Sequence, residues 1–227
     1  FIQKHLKWNR RIIMKKVRLG IIGIGNMGSQ HAGNILQGKC PEIELAAVAD
    51  NDPARIEFAN ANYPETVAKF ATAEELIDSG LCDSVLVAVP HYDHPKYVIE
   101  ALNHGLHVIS EKPVAMSSAE VEQMIAHSKA AGKMFTVHHN RRWDRDYLLI
   151  KKVLREGTIG KPFFIESRVN GARGIPGDWR CAKEAGGGMM FDWGVHLIDQ
   201  ILQLFDCPIT ELYCQMFHLK YAEVDDN

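Results

Sequence analysis

Val17-Arg-Leu-Gly-Ile-Ile-Gly-Ile-Gly-Asn-Met-Gly28 decides the fold of this chain. Leu19 to Ile22 is a short apolar run that reads as a buried strand, and it runs straight into Gly23-x-Gly25-x-x-Gly28. A helix-compatible segment, Met27 to Gln37, follows. The three glycines serve separate ends: Gly23 makes the tight turn, Gly25 lets the backbone approach a pyrophosphate, and Gly28 lets the helix pack close on the strand. The first helical residues, Asn26 and Met27 among them, then offer free N–H groups and a partial positive charge to the phosphates. A second apolar run, Ile43 to Ala49, ends in Asp50, 22 residues beyond Gly28. That is where a carboxylate meets a ribose 2′-hydroxyl, so the stretch reads as a dinucleotide-binding βαβ unit.

Outward from this unit the same alternation continues. Asp50-Asn-Asp-Pro53 is a turn and helix start, with the helix running to about Ala61. Val67 to Phe70 is a short strand, and Thr72-x-x-Glu75 is a capping box whose helix ends at Gly80. Ser84 to Val89 is an apolar strand closed by Pro90, and the helix after it starts at Asp93 or His94 and ends near Gly105. Leu106 to Ile109 is a fifth strand that ends in Ser110-Glu111-Lys112-Pro113. Ser117-x-x-Glu120 is a second capping box, its helix stops at Gly132, and Met134 to His138 is a sixth strand. Six strands alternating with five helices predict an α/β fold with a parallel, doubly wound Rossmann sheet over 14–138.

After His139 the texture changes. A helix is expected over Asp144 to Arg155, a half-buried strand over Phe163 to Asn170, a glycine-rich loop over Gly171 to Gly188, a helix over Met189 to Phe205 and a strand over Ile209 to Phe217. Residues 139–227 therefore read as an incomplete α+β domain, with two strands making a thin sheet.

The chain has 227 residues, 46% apolar and 24% charged, the composition of an ordinary globular chain. Residues 1–13 carry Lys4, Lys7, Arg10 and Arg11 and no acid, leaving −6 on the remainder out of an overall −2. That balance gives no support to nucleic-acid binding. Five cysteines with no CxxC spacing read as free thiols in a reducing cytoplasm. No apolar run reaches the ~18 residues of a membrane span. The Arg10-Arg11 pair invites an export reading, but the apolar run behind it is already the first strand. Residues 1–13 read as an extension ahead of Met14.

Three groups of residues could carry chemistry. Asp192 and His196 are four apart on a predicted helix and share a face. A solvated polar stripe is the ordinary meaning of such spacing, and Gly186-Gly-Gly188 before it favours close approach to a ligand or partner. Glu111-Lys112-Pro113 sits at the C-terminal end of a strand, the edge where ligands bind in open α/β sheets, although a surface lysine fits equally. Arg142, beside Trp143, and Arg180, beside Trp179, could hold a hydroxylated substrate; surface arginines are the default. Eleven histidines include no set with metal-ligand spacing, and no metal is expected.

Taken in order, Gly23-Ile-Gly25-Asn-Met-Gly28, Asp50, Val89-Pro90 with His94, Glu111-Lys112-Pro113, Asn140-Arg-Arg142, Trp179-Arg180, Gly186-Gly-Gly188 and Asp192-x-Gly194-x-His196 resemble the Gfo/Idh/MocA oxidoreductase family over residues 15–227. That family includes inositol, glucose and other sugar or cyclitol dehydrogenases. The resemblance implies a second domain with an open, mostly antiparallel sheet, and a chain that stops where the pattern enters its next strand. It implies Lys112, Asp192 and His196 as the catalytic set. His196 would be the base, Lys112 would favour the developing alkoxide, and Asp192 would orient a neighbouring hydroxyl. It implies Pro90, His94 and Glu111 as further cofactor contacts. One departure is His91, where the family often has Asn. Asp50 followed by Asn51 favours NAD over NADP, since a carboxylate repels a 2′-phosphate. The expected activity is hydride transfer between a sugar or cyclitol alcohol and NAD(P). An NAD-dependent glycosidase or lyase and a non-catalytic nucleotide-binding fragment are the rivals. The expected setting is cytoplasmic, away from membranes and nucleic acid, as a homo-oligomer in a full-length form.

Overall fold

The computed structural model describes residues 15–171 and 174–226; the expected extension at 1–13 lies outside them. The first half alternates β1 (Val17–Ile22), α1 (Asn26–Leu36), β2 (Ile43–Ala49), α2 (Pro53–Asn62), β3 (Ala68–Phe70), α3 (Ala73–Asp78), β4 (Ser84–Val87), α4 (His94–Asn103), β5 (His107–Ser110), α5 (Ser118–Ala131) and β6 (Phe135–Val137). The strands form one sheet in the order β3-β2-β1-β4-β5-β6, and every pair is parallel. This is the doubly wound sheet that the alternation predicts.

Local chemistry sets the element ends. Asp52 Oδ1 accepts from Ala54 N at 2.9 Å to start α2, with Pro53 at its first position. Thr72 and Glu75 form both bonds of the capping box on α3, at 3.2 and 3.1 Å. The expected second box is only half made: Ser117 Oγ accepts from Glu120 N, but the Glu120 carboxylate accepts instead from Met116 N and the Ser117 hydroxyl. Gly132 ends α5 with φ of 62°, in the left-handed region that glycine favours.

The core lies on both faces of the sheet. Along the central strands, alternate side chains enter opposite clusters: Ile22, Val85, Val87 and Val108 pack on one face with Leu76, Leu102 and Met124. Ile21, Leu45, Val48 and Leu86 pack on the other with Ile24 and Ala32. Burial on both faces is why these strands are continuously apolar.

The second half departs from expectation. Among the described residues, 163–170 and 209–217 pair with no strand, so the only sheet is parallel and the mostly antiparallel second sheet is absent from it. A strand exists only through its ladder, and neither segment meets a partner; Phe163 is fully exposed. The helices are present as α6 (Arg145–Arg155) and α7 (Val195–Leu204). The expected single helix over 189–205 instead opens with one π turn, Met190–Gly194. Tyr147 ties α6 to α7 by donating its hydroxyl to Gln200 O at 3.2 Å.

Leu76 is wholly buried between α3 and the sheet. Leu76→Ala should cost about 2–5 kcal/mol in urea unfolding, since the surrounding sheet cannot close on the cavity. A cost below about 1 kcal/mol would show that this face is not tightly packed.

Candidate active site at the sheet crevice

β1 and β4 are neighbours whose connections leave in opposite directions, so a crevice opens at their C-terminal ends. A cavity of about 500 Å³ there is lined by Gly23, Gly25, Asp50, Asp52, Arg55, Glu74, Pro90 and Asp93, among others. A second cavity of about 460 Å³ continues past Gly25, with Asn26, Met27, Pro90, His94, Glu111, Lys112, Arg180 and Asp192 on its wall.

The glycines show what the crevice is built for. Gly23 has φ of +88°, and a Cβ on it would lie 2.7 Å from Ala88 O. A Cβ on Gly28 would collide with Gly23 O. The fold itself therefore requires both. A Cβ on Gly25 would meet nothing within 4 Å, yet Gly25 lines both cavities. Its bareness serves whatever enters the crevice. Gly25 also gives α1 no side-chain cap, which leaves the first helical N–H groups for a ligand. The Asp50 carboxylate is fixed beside them, accepting from Ile24 N at 2.8 Å and Asp52 N at 3.0 Å. These residues fit a dinucleotide.

At the other end, Lys112 and Asp192 meet although 80 residues separate them. Lys112 Nζ donates to Asp192 Oδ1 and to Asp192 O, each at 2.9 Å. Arg180 Nε donates to Asp192 Oδ2 at 2.9 Å, while its other end holds Asp178 Oδ2 at 2.7 Å. Burial pushes the Asp192 carboxyl up, but Lys112 and Arg180 outweigh it and hold it below the usual carboxylate range. Glu111 behaves alike: burial raises it, and the hydrogen bonds of His138 and His31 bring it well below that range.

Three histidines line or back the site, and all titrate low. Burial, then the neighbouring His94 and Lys112, lowers His91 to about 4. Burial, then Lys112 and Arg141, lowers His196 to about 4. Burial also lowers His94, whose ring is braced between Pro113 O and Val89 O, both at 2.9 Å. His91 packs its ring against the Trp179 edge, 4.4 Å between centroids.

Not every predicted site residue faces the crevice. His196 is buried one turn past Asp192, lines neither cavity, and its Nδ1 has no partner among the described residues. Arg142 also lines neither; it grips Asp199 through two bonds of 2.7 and 2.5 Å and so ties the segment after β6 to α7. Gly186-Gly-Gly188 receives the chain itself. A Cβ on Gly186 would meet Met116 Sδ at 2.5 Å, on Gly187 the Arg180 carbonyl, and on Gly188 the Asp225 carboxylate. Asp225 is a residue that sequence reasoning missed. Its carboxylate accepts from Met190 N at 2.6 Å and its carbonyl from Met189 N at 2.8 Å, which anchors the turn that carries Asp192. No local spacing links it to that turn, 35 residues away.

A doubly wound parallel sheet with a glycine-lined crevice at the C-terminal ends of its strands defines the dinucleotide-binding Rossmann class. Residues 17–139 match the oxidoreductase family with the NAD-binding Rossmann fold, and residues 147–227 match the GFO/IDH/MocA C-terminal domain. The chain belongs to the GFO/IDH/MocA family. It is similar to an NAD-binding protein from Listeria innocua, with 43% identity and a TM-score of 0.78 over 85% of this chain and 56% of that one. It is also similar to scyllo-inositol dehydrogenase from Lactobacillus casei, solved with NAD(H) and scyllo-inositol: 27% identity and TM-score 0.71 over 84% of this chain and 56% of that one. The NADP(+)-dependent scyllo-inositol 2-dehydrogenase IolW of Bacillus subtilis is 30% identical over 97% of this chain and 60% of its own length. The chain thus spans little more than half the length of these relatives. Among the described residues no helix is long and apolar enough to cross a membrane.

Two outcomes follow from these contacts. His91 and His196 have folded values of about 4 against an ordinary 6.5. Between those two pH values the unfolded chain binds more protons, so stability falls as pH is lowered, by at most about 1.4 kcal/mol per pH unit for each ring. Urea midpoints at pH 7 and pH 5 measure the drop, and His91→Asn should reduce it; a midpoint equal at both pH values would contradict the assignment. Asp225→Ala should cost about 0.5–2 kcal/mol by uncapping the Met190 turn. Asp225→Asn, which keeps an acceptor oxygen, should cost less; equal stability of Asp225→Ala and the parent would remove the anchoring role.

Proposed function

We propose that the protein transfers hydride between a secondary alcohol of a sugar or cyclitol and the nicotinamide of NAD(P). The observation that carries this reading is the meeting of Lys112 and Asp192 at 2.9 Å on the wall of the cavity that Gly25 opens. A fixed cation beside a crevice built for a dinucleotide suits an oxygen that gains negative charge. The inositol dehydrogenases among the relatives support the polyol class.

When bound, the nicotinamide supplies the hydride acceptor. Lys112 Nζ lies where it can donate to the substrate oxygen and favour its alkoxide. Asp192, charged and clamped by two cations, keeps lone pairs for a neighbouring hydroxyl and so orients the ring. Arg180, held at its far end by Asp178, walls the same cavity, and Arg142, the other predicted arginine, does not. His196 lines neither cavity, but its Nδ1 has no partner among the described residues, so it would be the base for a hydroxyl proton relayed past Asp192. Around the first cavity Asp50, Asp52, Glu74 and Asp93 outnumber Arg55, the one cation in its lining, which favours NAD over NADP.

The test is a polyol panel assayed with NAD, using the full-length protein and its variants, beside fluorescence titrations with NADH and NADPH. Lys112→Ala and His196→Ala should each lower turnover by about 10²–10⁴ and leave NADH binding unchanged. Near-full turnover in either variant would overturn its role. NADPH binding tighter than NADH would overturn the Asp50 reading, and no binding of either would overturn the cofactor site.

A further inference from the structure

Beneath the reactive cavity three ligand-type side chains converge from separate parts of the chain: His31 on α1, Glu111 just past β5, and His138 just past β6. His31 Nε2 lies 2.6 Å and His138 Nδ1 2.9 Å from the same oxygen, Glu111 Oε1. Their donor atoms all lie within 4.8 Å of one another. The two imidazoles meet edge to face, 4.7 Å between centroids, so both rings aim at one point rather than stacking. The other carboxylate oxygen, Oε2, accepts from the Lys112 backbone N–H at 3.2 Å, which turns Oε1 toward the rings. Lys112 itself is engaged by Asp192 and places no ammonium in the cluster.

We propose that His31, Glu111 and His138 form a binding site for a borderline divalent cation of the Zn²⁺ type. Two imidazole nitrogens and one carboxylate oxygen are a donor set that such ions take, with water completing the shell. Mg²⁺ and Ca²⁺ want mostly oxygen donors and are disfavoured. Around a tetrahedral ion with bonds of ~2.0–2.1 Å, neighbouring donors stand about 3.3 Å apart, so each histidine nitrogen need move less than about 1 Å from the Glu111 oxygen to admit one. Each ring then carries its hydrogen on the far nitrogen and turns a lone pair inward. His31 and His138 are both part-exposed, which gives the ion a route in, while Glu111 is buried. The ion would pin α1 to the ends of β5 and β6. Because Glu111 also lines the reactive cavity, the site is a second input to that cavity and stands apart from the hydride-transfer reading.

The experiment is calorimetric titration of the metal-free protein with ZnCl₂, beside His31→Gln and His138→Gln. Glutamine keeps a donor for Glu111 and so preserves the fold, which circular dichroism checks. The expected result is one Zn²⁺ per chain, affinity weakened at least about tenfold in each variant, and no competition from excess Mg²⁺. Co²⁺ in place of Zn²⁺ should give a spectrum without a thiolate-to-metal charge-transfer band. Absence of saturable zinc binding, unchanged affinity in both variants, or a thiolate band from one of the five cysteines would overturn the proposal.

Discussion

A carboxylate taken out of water must be given partners, and in this molecule that requirement joins the two halves of the chain. Asp192 is half-buried in a π turn ahead of α7. Its partners are Lys112, at the end of the parallel sheet, and Arg180, in the short 3₁₀ turn Trp179–Cys181. Satisfying one carboxylate therefore brings three segments to one point and sets the wall of the reactive cavity. Loss of both cations would strand the acid, and an unpaired charge away from water is far costlier than the pair is favourable. Asp225 serves the same place from the other side, holding the backbone from which Asp192 projects.

The glycines show how one residue type answers different constraints. Gly23 and Gly28 are bare because the protein's own backbone fills the space a side chain would need. Gly187 is bare against the Arg180 backbone, while Gly186 and Gly188 are bare against the side chains of Met116 and Asp225. Gly25 alone of these faces open space at the crevice. In sequence the triple glycine reads as a close approach to a ligand or partner. It is a packing joint, and the residues that require it lie up to 70 positions upstream and 37 downstream.

This distinction marks how far the sequence is legible. The Rossmann half could be read nearly strand by strand because its signals are local: apolar runs of strand length, Thr72 with Glu75, Pro53 after Asp52, Gly132 after α5. The second half could not, because the fate of Phe163–Asn170 and Ile209–Phe217 is set by a ladder partner, and alternation names no partner. The site divides the same way. Gly25, Asp50 and Lys112 announce themselves by position next to a strand end. Arg142 reads as a substrate contact because nothing local shows Asp199, 57 residues on, holding its Nε and one terminal nitrogen. Nothing local joins His31 and His138 to Glu111, since only the folded sheet and the helix packed on it bring them together.

The low proton affinity of His196 looks at first unsuited to a base, since a ring at about 4 holds a proton poorly at neutral pH. The groups responsible resolve the difficulty. After burial, the Lys112 charge is the largest influence on that ring. In the proposed reaction the same ammonium would donate directly to the substrate oxygen, closer than it stands to the imidazole. A cation lowers the proton affinity of every group near it, most strongly the nearest. The hydroxyl would therefore fall further than the histidine does, and proton transfer depends on the difference between them. In the proposed reaction a ring depressed by burial and Lys112 would accept the proton briefly and return it readily.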